Sequence, residues 1–193
     1  MGAVYPDQAA SDTEGSSNKQ VLGADDIDRS LTRISFEIIE RNHGDQNLVI
    51  AGIPTRGATL ARRIQQKIAQ LAAFTPDLAI VDTTMYRDDL ADHPFRAPHP
   101  SSIPEGGVDG RVVVLVDDVL FTGRTIKAAL DAISQIGRPH TVQLAVLVDR
   151  GHRELPIRPD FVGKNLPTSR LENVSILLKE NDGRDAVVLG RRA

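Results

Sequence analysis

Cysteine is absent from this 193-residue chain, which excludes disulfides and thiolate chemistry and suits a reducing cytoplasm, the compartment expected for it. No apolar run approaches the ~20 residues that span a bilayer, so no membrane partner is expected. The first residues lack the basic start and apolar core of a secretory signal. Excess positive charge is missing too. The formal net charge is −3, so the whole-protein field does not favour nucleic acid, and any basic patch must be local and offset by acids elsewhere. His93, His99 and His140 show no metal-ligand grouping and read as solvated. No internal repeat occurs at solenoid spacing. What remains is a single domain, long enough to bury a sizeable core.

That domain is organised around Val112 to Thr125. A β-branched apolar run reads as a strand buried on both faces of a parallel sheet. It ends in Asp117 and Asp118, and a helical pattern from Ile126 to Ile136 follows the loop. Ligands of open α/β sheets bind beyond the carboxyl ends of such strands. In the loop, Thr122, Gly123, Arg124 and Thr125 combine hydroxyls, a glycine that permits close backbone approach, and the unsatisfied N–H groups of a helix start. These suit a phosphate monoester. The spacing is not that of a Walker A loop. Carboxylates would repel a phosphate directly, but they suit sugar hydroxyls and a hard cation such as Mg²⁺. Alone, the acid pair reads as a buried strand with an acidic helix cap; with the loop attached, a sugar phosphate is the better reading.

Earlier in the chain, residues 1–20 carry no apolar periodicity and are expected to form a disordered tail, leaving residues 21–193 as the domain. Ala24 to Asn42 places Ile27, Leu31, Ile34, Ile38 and Ile39 on one helical stripe, with Asp25 or Asp26 near the N-cap. Leu48 to Gly52 is a strand, followed by the turn Ile53-Pro54-Thr55-Arg56-Gly57 and a helix from Ala58 to about Ala72. That turn reads equally as an anion nest strengthened by Arg56 or as a plain helix cap. After a strand at Leu78 to Asp82, residues 83–110 read as a long, flexible lid loop whose Arg87 could carry charge onto a ligand. Thr141 to Val148 is a further strand. The prolines and glycines of residues 150–175 argue against a central strand and for an irregular hood. Val174 to Leu178 and Ala186 to Leu189 close the chain as an edge pair or hairpin.

The run Asp117-Asp118-Val119-Leu120-Phe121-Thr122-Gly123-Arg124-Thr125 resembles the phosphoribosyl pyrophosphate (PRPP) signature of type I phosphoribosyltransferases. The resemblance narrows at Tyr86-Arg87-Asp88-Asp89-Leu90, Asp149-Arg150-Gly151-His152-Arg153-Glu154-Leu155-Pro156 and Val162-Gly163-Lys164-Asn165. Leu31-Thr32-Arg33-Ile34 and Glu40-Arg41-Asn42 narrow it further. These are similar to the pyrimidine-operon regulators, which share the chemistry of uracil phosphoribosyltransferase and bind pyrimidine-operon mRNA. The resemblance implies a type I phosphoribosyltransferase fold: an α/β domain with a central, mainly parallel sheet flanked by helices, a small irregular hood and a lid. It also implies conversion of uracil and PRPP to UMP and diphosphate, mRNA binding that depends on UMP, and a homo-oligomer, dimer or higher.

Residue by residue, the resemblance assigns Asp117 and Asp118 to the ribose hydroxyls, with Mg²⁺ bridging sugar and diphosphate. Thr122, Gly123, Arg124 and Thr125 would hold the 5′-phosphate. Thr55, Arg56 and Gly57 would hold the diphosphate, with Arg87 reaching in from the lid. Phe121, Arg150 and Val162 would frame the base, and Thr32, Arg33, Arg41, Arg158 and Lys164 would meet RNA. The RNA residues come from two distant segments, so the fold or a dimer must unite them. Two positions depart from family patterns. Purine transferases carry an acid where Phe121 stands, so an apolar face there favours a pyrimidine. Phe36 replaces an expected polar residue, often histidine, on the RNA helix, where a base could stack instead. Other readings are a plain transferase of uracil, orotate or a purine without RNA binding, and a PRPP-sensing regulator without transfer.

Overall fold

The apolar runs become the strands of a parallel sheet. In the computed structural model, which describes residues 18–86 and 101–191, the order opens with β1 (Lys19–Leu22), α1 (Ala24–Arg41), β2 (Leu48–Gly52), α2 (Arg56–Leu71) and β3 (Asp77–Ile80). It continues with β4 (Val112–Leu120), α3 (Arg124–Ile136), β5 (Thr141–Asp149), β6 (Phe161–Asn165), β7 (Glu172–Leu177), α4 (Lys179–Asp182) and β8 (Ala186–Arg191). Five strands form the main sheet in the order β3-β2-β4-β5-β6, and every pairing in it is parallel. Every residue of β2 is buried, as expected for a strand covered on both faces.

Strand alternation sorts the core into two layers. Ile50, Val114 and Val116 pack with Ile27, Leu31, Ile34 and Ile38 of α1 and with Leu60, Ile64 and Ile68 of α2. Their neighbours Val49, Ala51, Val113 and Leu115 pack with Ile126, Ala129 and Ile133 of α3 on the opposite face. The apolar stripe of α1 is thus the buried one. Truncating Ile34, 1% exposed, to Ala should cost about 2–5 kcal/mol. Helix α1 starts at Gly23, whose N–H donates to Asp26 Oδ2 at 3.0 Å; Asp26 therefore reaches back from inside the first turn. The helix stops where His43 and Gly44 take positive φ angles of 53° and 69°.

Three expectations change. Strand β4 does not end at the acid pair but runs to Leu120, because β5 offers pairing partners as far as Leu120↔Asp149. The tail stops short of residue 20, since Lys19 and Gln20 pair with Leu189 and Val188 of β8; residues 1–17 lie outside the described residues. The hood of residues 150–175 is less irregular than its prolines suggest. Phe161–Asn165 joins the main sheet as an edge strand parallel to β5. Gly163 makes this possible, because a Cβ there would meet the Leu147 carbonyl oxygen at 2.5 Å. The closing strands form the expected antiparallel hairpin, from Leu177↔Ala186 to Glu172↔Arg191, and with β1 they build a second sheet, β1-β8-β7. Of the lid, residues 87–100 lie outside the described residues, and Ser102 bridges antiparallel to Ile80.

Candidate active site

The acid pair and the turn before α2 meet across β4. Gly57 sits so close to the central strand that a Cβ there would lie 2.6 Å from the Val116 oxygen and 3.2 Å from the Asp117 Cα. Only glycine fits that approach. Asp117 is 7% exposed. Its Oδ1 accepts the Asp118 N–H at 2.9 Å, and Asp118 Oδ1 accepts the Val119 N–H at 2.7 Å. Burial pushes the Asp118 carboxyl above its ordinary range. The Val119 N–H, the Arg56 charge and the Asp117 side chain pull the other way without winning. A carboxylate that is costly to leave charged and uncompensated suits an arriving cation. Among the described residues no group of three or more His, Asp or Glu could hold a metal ion. A cation here would take these two carboxyls and draw its other oxygens from water and ligand, as Mg²⁺ does.

The turn of residues 122–125, expected to hold a phosphate, follows in β4's wake. Gly123 caps α3 in the left-handed region, φ 95°, and a Cβ there would meet Ile157 Cδ1 at 3.3 Å and Leu155 Cβ at 3.4 Å. The hood therefore covers the turn from outside. The Thr122 carbonyl accepts the N–H groups of Glu154 and Leu155 at 2.9 and 3.2 Å. Arg124 turns outward to Glu154 at 2.9 Å. The first N–H groups of α3, a 13-residue helix, point toward the turn and lack carbonyl partners in their own helix. The Arg124 guanidinium is thus engaged by the hood.

Phe121 and Arg150 lie together, and the arginine is engaged by the protein itself. Arg150 is 5% exposed and donates to Thr168 Oγ1, Ser169 O and Glu172 O at 3.1, 3.1 and 2.8 Å. Its guanidinium lies 4.2 Å from the Phe121 ring centroid, while the His152 ring meets Phe121 edge-on at 6.0 Å. His152 Nε2 donates to the Thr168 carbonyl. Arg150 therefore backs the aromatic ring and ties the hood down. Sequence reasoning missed Arg153. It donates to Ile157 O, Phe121 O and Asp149 Oδ2 at 3.0, 3.0 and 2.6 Å, locking the hood to the end of β4. Five donors in a fixed fork make arginine the residue for such a clamp, but nothing in its spacing signals which carbonyls it will find.

The two segments expected to meet RNA come together within one chain. Arg33 of α1 donates to the carbonyls of Val162 and Gly163 at 2.9 and 2.7 Å, beside exposed Lys164. Arg41 pairs with Asp160 at 3.0 Å and stands 5.9 Å from the Phe161 ring centroid; exposed Arg158 lies two residues upstream. Phe36, 53% exposed, shares the outer face of α1 with Arg33. Thr32 instead accepts from Lys67 Nζ at 2.8 Å and donates to Asp28 O at 2.9 Å. The Arg33 bonds also link this face to Val162, the residue expected beside the base. Arg87 falls outside the described residues.

Also unforeseen was the way α4 grips α2. Arg56 pairs with Asp182, and Arg63 with Glu180 and Asp185. No helix among the described residues is long and apolar enough to cross a membrane.

Residues 17–177 match the family model described as Phosphoribosyl transferase domain. A curated relative from Streptomyces coelicolor, "Bifunctional protein PyrR", is 60% identical over 174 residues, covering 90% of each chain. Its namesake from Corynebacterium glutamicum is 54% identical over 176 residues, covering 89% of this chain and 92% of the relative. Among solved structures, a hypoxanthine phosphoribosyltransferase from Trypanosoma cruzi superposes with a TM-score of 0.70 over 91% of this chain and 96% of that one. At 15% identity, that likeness speaks to the fold alone.

Proposed function

The chain belongs to the phosphoribosyltransferase family, among the bifunctional PyrR proteins, and on that footing we propose that it converts uracil and PRPP to UMP and diphosphate and binds pyrimidine-operon mRNA. The observation that carries the chemistry is the contact of the Thr55–Gly57 turn with the Asp117–Asp118 pair across Gly57. Transfer needs N1 of uracil to attack C1 of the ribose as the C1–diphosphate bond breaks and the N1 proton is lost. No side chain has to act as a covalent nucleophile. The protein's task is to position the sugar and offset the charge of the departing diphosphate.

Asp117 and Asp118 hold the ribose hydroxyls, and the Gly123 turn and the start of α3 hold the 5′-phosphate. Arg56, with the backbone of Thr55 and Gly57, meets the diphosphate, and Arg87 approaches from the lid. Bound Mg²⁺ would neutralise oxygens of the diphosphate, with Asp117 and Asp118 as its protein ligands. Phe121, stiffened from behind by Arg150, offers the base an apolar face that cannot exchange a proton, which favours a pyrimidine.

The regulatory half is supported by the convergence of Arg33, Arg41, Arg158 and Lys164 around the α1–β6 contact. Because Arg33 holds the carbonyl of Val162, occupancy of the base site by UMP and RNA binding on α1 share a structural element, and linkage between them is reciprocal. We assign the protein to the cytoplasm and to a homo-oligomer on the same basis. The test is to mix protein, PRPP and Mg²⁺ with uracil, hypoxanthine or orotate and to identify the nucleotide formed. UMP alone is expected. In the same assay Asp118→Asn should lower turnover about 10²-fold, the scale of losing one electrostatic contact to a transition state, while the fold survives. Parent-like turnover would remove the assignment.

A further inference from the structure

Arg56 is not left loose at the start of α2. Its Nε and Nη2 both bond the Asp182 carboxylate, at 3.2 and 2.7 Å, and the two side chains are only 34% and 19% exposed. Asp182 belongs to α4, far downstream in sequence, in the connection between β7 and β8 of the other sheet. Asp182 is itself fixed, since its Oδ2 accepts the Leu178 N–H at 2.9 Å. The same connection is tied to the same side of α2 by Thr59, which donates to Asn181 Oδ1 at 2.9 Å. Arg63 adds bonds to Glu180 Oε1 at 2.9 Å and Asp185 Oδ1 at 2.8 Å.

The local physics explains why such a grip is needed. A guanidinium at the first position of a helix faces the positive end of the helix dipole and is disfavoured there. Helix α2 has no acid in its own first turn, so nothing on that helix holds Arg56 near the acid pair. Asp182 supplies the missing anion from outside. A bidentate grip also sets the plane of the guanidinium, which a single contact cannot do. It occupies Nε and Nη2 and leaves Nη1 without a hydrogen bond among the described residues. That edge is available to a phosphate oxygen.

We infer that Asp182 is a positioning residue for the transfer reaction: from the antiparallel sheet, it holds Arg56 in the orientation in which the free edge of the guanidinium meets the diphosphate of PRPP. This rests on the reading of Arg56 as a diphosphate ligand. A carboxylate near a diphosphate also repels it, so the sign of the effect is informative. Positioning predicts weaker PRPP binding when the carboxylate is removed, whereas competition for Arg56 predicts tighter binding.

The experiment compares Asp182→Asn, Thr59→Val and Arg56→Ala with the parent, measuring kcat, KM for PRPP and for uracil, inhibition by diphosphate, and Tm. Asp182→Asn should raise the KM for PRPP and the inhibition constant for diphosphate together, by about 3- to 10-fold, the scale of releasing one long side chain from a fixed pose. The KM for uracil should not move. Thr59→Val loosens the same connection without touching Arg56, so it should lower Tm and leave the KM for PRPP in place. Unchanged or tighter PRPP binding in Asp182→Asn overturns the inference, as does an equal shift in Thr59→Val. If Arg56→Ala leaves the KM for PRPP unchanged, the reading of Arg56 falls and takes the inference with it. If Arg56→Ala raises that KM and Asp182→Asn does not, the inference falls alone.

Discussion

Replacing Gly57 with alanine puts the proposed site geometry at risk with a single carbon. The added Cβ would stand 2.6 Å from the Val116 oxygen and 3.2 Å from the Asp117 Cα, the first distance roughly 0.8 Å short of an ordinary contact. Strand β4 cannot yield, since it is paired on both sides, to β2 and β5. The start of α2 must therefore lift away, carrying Thr55 and Arg56 off the acid pair. Overpacking of this kind costs about 1–3 kcal/mol, but alanine also returns up to about 1 kcal/mol of helix propensity. At roughly 2–4 °C of Tm per kcal/mol for a chain of this size, stability is a blunt reporter. Activity is sharper, because displacing a positioning element by about 1 Å can cost 10²-fold. We expect kcat/KM for PRPP to fall 10- to 100-fold while Tm drops by a few degrees. Gly23→Ala serves as the control: its Cβ would meet only side-chain atoms, at 3.4 and 3.8 Å, and turnover should match the parent. A Gly57→Ala protein with kcat and KM for PRPP within about twofold of the parent, well short of that scale, would refute the reasoning.

Three further outcomes follow from the same geometry. Hydrogen bonds from Arg63 and Arg56 hold Glu180 and Asp182 below their ordinary pKa; burial pushes Asp185 up, but its bonds to Arg63 and the Lys179 N–H bring it below as well. Lowered folded-state values mean stability present above the unfolded pKa, near 4, and lost as pH falls through the folded values. Tm should therefore drop on acidification from about pH 5 to about pH 3, and Arg63→Met should flatten the drop; an identical pH profile in the variant would count against a stabilising role for the Arg63 ion pairs. Lys164→Ala should weaken stem-loop binding and reduce its salt dependence with uracil transfer intact. Arg33→Ala should weaken RNA binding and also lower stability by about 1 kcal/mol, because two carbonyls lose their donor. Gel shifts showing parent affinity for both would remove the patch. Phe121→Ala should raise the KM for uracil roughly 5- to 100-fold, the range of one stacking contact, with the KM for PRPP unmoved; equal shifts in both would place Phe121 outside the base site.

The sheet, its flanking helices and the glycine turn between β4 and α3 were legible because period and punctuation carry them. The stripe from Ile27 to Ile38 and the apolar run at Val112 each admit one burial pattern. Strand ends were not, since β4 extends past two aspartates only because β5 lies alongside to pair with it. Nor was β6, where Gly163 looks like a breaker and acts as the residue that lets two backbones approach. The site's arginines show the same limit most clearly. Charge marks Arg33, Arg56 and Arg150 as candidates for ligands, and it marks Arg153 no more than any other arginine. The fold gives each of them protein partners, a carboxylate or carbonyls brought from distant residues, and sequence separation hides such partners.

The order β1-β8-β7 has a consequence for how the protein is made. Strand β8 lies in the middle of its sheet, so β1 cannot find its neighbour until the chain has been synthesised past Leu189, the partner of Lys19. Strands β2 through β6 leave the ribosome well before that, and domains begin to fold as they emerge. The main sheet can thus assemble on a nascent chain whose β7–β8 connection is not yet in place. Pairings between residues this far apart in sequence form slowly. Closure of the small sheet, and with it the delivery of Asp182 to Arg56, then follows assembly of the main sheet, and a ribosome-bound chain stalled before β8 should hold its parallel sheet while Arg56 still lacks its carboxylate partner.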